Sequence, residues 1–225
     1  MTYYGNQQSF WTLCNTPSNQ ATAIHFYGTD LQDFSVQWTK GDGAAKAVFV
    51  KQGTSGTASP VDNTTYAASA EFGSGDQIGS SGWYCVYNGT NNYANVTGLN
   101  ESTNYVVHVI EYNGGVGSEM YLTSSAAGNP KSVQTHQLPT VTTSDISNIA
   151  GYSATLNGSI TDLGNPNPIE HGYCWSTSPN PDLNDNKTSL GAVSSPGTFA
   201  SDITGLLPGQ TYYVRAYAVN TSGNS

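Results

Sequence analysis

The feature that most constrains this chain is an internal repeat. Val96-Thr97-Gly98-Leu99 followed by Tyr105 matches Ile203-Thr204-Gly205-Leu206 followed by Tyr212, and the register continues through Val107 and Val214 to Asn113 and Asn220. A Leu, a short polar turn and a Tyr opening an alternating strand read as a tyrosine corner. There the ring is buried and the hydroxyl bonds back to the turn. Two such corners in 225 residues predict two sandwich modules of about 100 residues each. Strand-like runs recur around them between Gly, Asn, Pro and Ser clusters: Ala21–Tyr27, Phe34–Trp38, Ala47–Lys51, Trp83–Tyr87, Tyr105–Tyr112, Ala154–Ile160, Gly172–Trp175 and Tyr212–Val219. No stretch carries a helical period, so the chain is expected to be all-β.

Composition narrows the function. Charged residues are only 9% of the chain, against roughly 25% in an ordinary globular protein. The polar surface must therefore be built from Asn, Ser, Thr, Gly and Gln, as in turn-rich proteins exposed outside cells. Six basic against fifteen acidic residues give a net charge of −9, which repels a phosphate backbone and argues against nucleic acid as a partner. No apolar run approaches the roughly 20 residues of a membrane span, so membrane insertion is not expected. The start, Met1-Thr2-Tyr3-Tyr4-Gly5, lacks the basic and then apolar pattern of a signal peptide. The three cysteines Cys14, Cys85 and Cys174 form no C-x-x-C pair and are expected to be buried or inert thiols.

Two sets of motifs carry a family resemblance. Residues 15–136 contain Phe34-Ser-Val-Gln-Trp38, Gly41-Asp-Gly43, Phe72-Gly-Ser-Gly75, Val86-Tyr-Asn-Gly89, Glu111-Tyr-Asn113, Ser118-Glu119 and Tyr121-Leu122 in that order. Residues 137–225 contain Ala154-Thr-Leu-Asn157, Gly172-Tyr-Cys-Trp-Ser176, Pro179-Asn-Pro181, Gly205-Leu206 and Tyr212-Tyr-Val-Arg-Ala-Tyr217. Both successions resemble fibronectin type III modules, in subtypes found in large surface proteins of Bacteroidetes-type bacteria. The resemblance implies two tandem immunoglobulin-like β-sandwiches, with structural core residues Trp38, Leu99 and Tyr105 in the first. In the second these are Leu156, Trp175, Leu206 and Tyr212. It implies a secreted, cell-surface location.

The two ends invite comparison. Members of the second subtype typically close with Tyr-Gly-Asn-x-x-Ser-Phe-x-Thr after an Asn-x-x-Gly turn, a segment expected to be missing after Asn220. The chain instead opens with Tyr4-Gly5-Asn6-Gln7-Gln8-Ser9-Phe10-Trp11-Thr12, a surplus N-terminal strand within residues 1–14. Gly5-Asn6-x-x-Ser9-Phe10-x-Thr12 also aligns with Gly128-Asn129-x-x-Ser132-Val133-x-Thr135, the expected closing strand of module one. Alternation would point Phe10 and Thr12 at a core and Ser9 and Trp11 outward. Two readings stand side by side. Either the segment closes a preceding module of a longer array, or the strand of one copy, with Tyr4, Gly5, Phe10 and Thr12, completes module two of another. Head-to-tail exchange of that kind gives filaments.

The chemistry-bearing residues do not assemble into a site. His25, His108, His136 and His171 are scattered, and His108 and Glu111, three apart on a strand, leave opposite faces. No G-x-S-x-G elbow, H-E-x-x-H pair or phosphate-cradling loop occurs. An enzyme, a catalytic residue and a cofactor are therefore not expected. Asp182-Leu-Asn184-Asp185-Asn186 begins like a calcium loop, but Lys187 stands where the glycine is needed and no Glu closes it. It reads as a solvated loop, with no metal. The N-x-S/T sequons at Asn63, Asn88, Asn95, Asn100, Asn157, Asn186 and Asn220 are attributed to an Asn- and Thr-rich composition. Trp83, Tyr87 and Tyr93 are the exposed aromatic candidates for stacking on surface glycans. The reading is a structural spacer or adhesive repeat whose partners are adjacent modules or copies of itself. The alternative is a carbohydrate-binding accessory module of a secreted polysaccharide-degrading enzyme.

Overall fold

The structure, a computed structural model, describes residues 1–8 and 14–221. Among the described residues fourteen strands follow in order. The first module carries β1 (Thr22–Tyr27), β2 (Phe34–Thr39), β3 (Ala45–Gln52), β4 (Tyr84–Gly89), β5 (Tyr93–Val96), β6 (Asn104–Asn113), β7 (Met120–Tyr121) and β8 (Lys131–Gln134). The second carries β9 (Thr140–Thr143), β10 (Ser153–Asp162), β11 (Glu170–Ser176), β12 (Asn186–Lys187), β13 (Gly197–Thr204) and β14 (Tyr213–Val219). There is no helix among the described residues. The chain divides into two compact units, one of Met1–Tyr27, Ser35–Gly98 and Asn104–Val133, the other of Gly28–Phe34, Leu99–Thr103 and Gln134–Ser225.

In the first module one sheet has the order β1-β2-β5 and the other β4-β3-β6-β7, with β8 also paired to β6. Alternation decides the faces: Phe34, Val36 and Trp38 of β2 are buried while Gln37 and Thr39 are exposed. β3 and β6 break that alternation, being buried along nearly their whole length. The cross-strand pairs Val48↔Val109 and Val50↔Val107 face the sandwich interior. The pair Phe49↔His108, with Ala47, Val106, Ile110 and Tyr112, faces the other way. That second face is covered by Ala58, Tyr66, Ile78 and Trp83 from the segment joining β3 to β4. The module is therefore a sandwich with an outer layer, and its central sheet is dry on both sides.

Motifs far apart in the chain meet at one end of β6. The Glu111 carboxylate accepts the backbone N–H of Gly41 at 2.7 Å and of Gly43 at 3.0 Å, and pairs with the Lys46 ammonium at 3.3 Å. Glu111 and Lys46 are both buried, so each neutralises a charge that would otherwise be costly. A Cβ at residue 43 would lie 2.7 Å from that carboxylate, so Gly43 is required by close approach.

In the second module the sheets are β13-β10-β9 and β12-β11-β14. β10 alternates strictly, burying Ala154, Leu156, Gly158 and Ile160. A small core of Ala154, Leu156, Tyr173 and Ile203 is ringed by half-buried Ile146, Trp175, Phe199, Leu206, Val214 and Ala216. The Tyr173 hydroxyl donates to the Phe199 carbonyl at 2.7 Å, tying the two sheets together. Its strand order parallels that of the first module. Three strands (β1-β2-β5 or β9-β10-β13) form one sheet, and the remaining strands (β4-β3-β6 or β12-β11-β14) form the other. This is the arrangement of an immunoglobulin-like sandwich.

Candidate functional site

The two modules differ at one sheet edge among the described residues. In the first, β7 and β8 cover the outer edge of β6. Asn129, buried just before β8, bridges that edge with its carboxamide. It accepts the Val109 N–H at 3.1 Å and donates to the Val109 carbonyl at 2.7 Å and the Ala21 carbonyl at 2.8 Å. Just after β8, buried Thr135 donates its own N–H to the Thr103 carbonyl at 3.0 Å. Its hydroxyl accepts the Thr103 N–H at 3.0 Å and donates to the Asn100 carbonyl at 2.7 Å.

β14 occupies the position of β6 in the second module, yet pairs only with β11 among the described residues. Its Ala216 N–H turns away from β11 and is taken by the Thr143 hydroxyl at 2.8 Å. By the two-residue alternation of an antiparallel ladder, Val214 presents its backbone groups to the same outer side. Beside Val214 the described residues leave a cavity of about 310 Å³, lined largely by apolar side chains, among them Ile146, Leu156, Leu206, Leu207, Tyr212 and Val214.

Each residue singled out from sequence has a definite place. Tyr212 forms its corner, its hydroxyl accepting the Leu207 N–H at 3.1 Å. The repeated glycines Gly98 and Gly205 sit at φ +71° and +77°, a left-handed conformation that a side chain would strain. Tyr105 is fully buried with its ring 5.1 Å from that of Phe72, and Trp38, Leu99 and Leu156 are buried. Trp175 and Leu206 are half-buried against the small core. The repeat's final pair also matches: Asn113 donates to the Asn15 carbonyl and Asn220 to the Gln137 carbonyl, both at 2.8 Å. Tyr4 and Gly5 are exposed and belong to no strand. Phe10 and Thr12 lie outside the described residues.

The stacking candidates require correction. Trp83 is only 4% exposed; it is held in the outer layer between Gly56 and the His108 ring, 6.4 Å away. The core landmarks taken from the resemblance go to other aromatics, and the layer that shelters Trp83 comes from the segment joining β3 to β4, which those landmarks do not include. Tyr87 is half-buried, its ring 6.0 Å from Trp38 and its hydroxyl accepting the Asn91 N–H at 2.8 Å. Only Tyr93, on β5, is exposed. The three do not form a common platform.

The remaining polar groups are engaged structurally. Burial lowers the His108 imidazole to about 4. Its Nδ1 accepts the Ala58 N–H at 3.0 Å, a bond that needs an unprotonated nitrogen. Burial pushes the Cys85 thiol up to about 12 and raises Cys174 as well. Cys85 and Cys174 are buried, as expected of two of the thiols, and Cys14 is exposed. Asp185 caps the Asp182 N–H at 3.0 Å and Asp182 the Asn184 N–H at 2.7 Å, so these carboxylates close a turn. Asn129, Thr135 and Thr143 were not among the predicted site residues. The alignment of residues 5–12 with 128–135 pointed to the first two; Thr143 carries no such signal.

These features define a fold class: an all-β chain of two tandem immunoglobulin-like sandwiches, the architecture that fibronectin type III modules share. No protein-family model matches the chain, and no curated protein matches it. Among solved structures it is similar to a two-domain fibronectin type III segment of chicken tenascin, at 15% identity over 91% of this chain and 94% of that one, TM-score 0.31. It is also similar to the FN1–FN3 domains of chicken CNTN1, at 13% identity over 92% and 64%, TM-score 0.37. A third is the central fibronectin-III array of RIM-binding protein, at 13% identity over 90% and 63%, TM-score 0.33. Likeness at this level carries no weight of its own; the class rests on the strand order described above.

Proposed function

We propose that this chain is a structural repeat of a bacterial extracellular surface array, propagated head-to-tail by strand donation. One observation carries the reading. The edge that residues 128–135 cover in the first module carries no paired strand at β14 in the second among the described residues, and residues 5–12 repeat the closing sequence. An unpaired edge templates strand addition. A donor on one copy and an acceptor on the same chain make a heterologous contact that does not close. The low charge and turn-rich polar composition suit a wet, extracellular setting.

Sedimentation velocity over a wide concentration range, with negative-stain microscopy of the same samples, tests this. Head-to-tail polymers that disappear in Phe10→Ala are the expected result. A monomer at every concentration would refute donation between copies and leave a plain spacer.

A further inference from the structure

We propose that the apolar cavity beside β14 is the seat of Phe10 from the donated segment, and that this contact specifies which strand the edge accepts. The inference rests on the strand-donation reading and adds its register and its anchor. The first module supplies the template. There Asn129 lies opposite Val109 and Thr135 opposite Thr103, so antiparallel pairing sets Val133 opposite Tyr105. Two alignments within the chain transfer that register. Gly5-Asn6 through Thr12 maps onto Gly128-Asn129 through Thr135, and the repeat maps Val109, Tyr105, Thr103 and Asn100 onto Ala216, Tyr212, Gln210 and Leu207. Asn6 then falls opposite Ala216, Phe10 opposite Tyr212, and Thr12 opposite Gln210.

Each of those positions has a feature waiting for it. Tyr212, Leu207 and Gln210 all line the cavity. Val133 fills the corresponding place in the first module only as a half-buried valine, whereas the second module leaves about 310 Å³ there. A dry cavity of about 150 Å³ lined by aliphatic and aromatic side chains takes a benzene molecule, so a phenyl ring is accommodated with space for its backbone. The Thr12 hydroxyl would serve the Leu207 carbonyl as Thr135 serves Asn100. The Asn6 carboxamide would take over the Ala216 N–H that Thr143 now holds.

A labelled synthetic peptide of residues 1–13, titrated into the full chain and read by fluorescence anisotropy, tests the assignment; sedimentation shows whether it shortens assemblies. The wild-type peptide is expected to bind and to cap the edge. The Phe10→Ala peptide should bind about 10- to 100-fold more weakly, the loss for burying one aromatic side chain. Equal binding by the two peptides would overturn the cavity assignment and leave donation standing. A wild-type peptide that neither binds nor shortens assemblies would overturn donation, and this inference with it.

Discussion

Lowering the pH from 7 to 4 should destabilise the first module through one residue. His108 is completely buried between β6 and the outer layer, and burial lowers its imidazole from the ordinary 6.5 to about 4. Between those values the unfolded chain takes up a proton that the folded chain refuses. Protons bound more tightly by the unfolded state favour unfolding, so stability falls as the pH drops below about 6.5. The difference between 6.5 and about 4 corresponds to about 3 kcal/mol, fully lost only near pH 4. Urea unfolding between pH 7 and 4, followed by tryptophan fluorescence, gives the profile; Trp83 lies 6.4 Å from the imidazole and reports locally. The same series on His108→Gln isolates the residue from carboxylates that titrate nearby. The variant starts from lower stability at pH 7, but its profile should be flatter by about 3 kcal/mol at the acidic end. Parallel profiles for the two proteins would show that the imidazole titrates normally, and the dry outer layer would be refuted with it.

Three further outcomes follow from the geometry. Trp83→Ala should cost the first module about 3–5 kcal/mol, the penalty for emptying a buried aromatic site; calorimetry checks it, and a change within 0.5 kcal/mol, typical of surface positions, would place the ring in solvent. Tyr212→Phe should lower the second module's stability by about 1 kcal/mol by removing the acceptor of the Leu207 N–H, and an unchanged unfolding midpoint would argue against the corner. Titration of the native chain with a thiol reagent should label Cys14 rapidly and leave Cys85 and Cys174 for the unfolded state, since burial raises both of the latter; rapid reaction of all three would contradict their burial.

The fold was legible wherever local chemistry and tertiary packing demanded the same residue. Gly205, Leu206 and Tyr212 form one such case: a positive φ, an apolar anchor and a hydroxyl reaching back five residues are all encoded within one short stretch. The alternation of β10 and β2 was similarly plain. Trp83 was misplaced because its cover comes from the opposite face of β3 and β6, and nothing in a strand's own sequence says whether its second face is wet. The near-continuous apolar run of β6, Tyr105–Ile110, was the available sign, since a strand with one solvated face should alternate. At the open edge, the donor-like segment could be read by comparing the chain with itself. The Thr143 contact could not, because a hydroxyl on an edge strand signals nothing until its neighbour is known.

That contact has a bearing on selectivity. An exposed β edge ordinarily welcomes any passing backbone, and such indiscriminate pairing is how β proteins aggregate. With the Ala216 amide already satisfied by Thr143, an arriving strand must first displace a hydrogen bond of the kind worth about 1 kcal/mol. On the strand-donation proposal, a carboxamide at that position would accept the Ala216 N–H in place of Thr143 and donate to the Ala216 carbonyl, as Asn129 does at Val109. Under that proposal the Thr143 hydroxyl would keep the Ala216 amide occupied until a strand that carries asparagine in register replaces it.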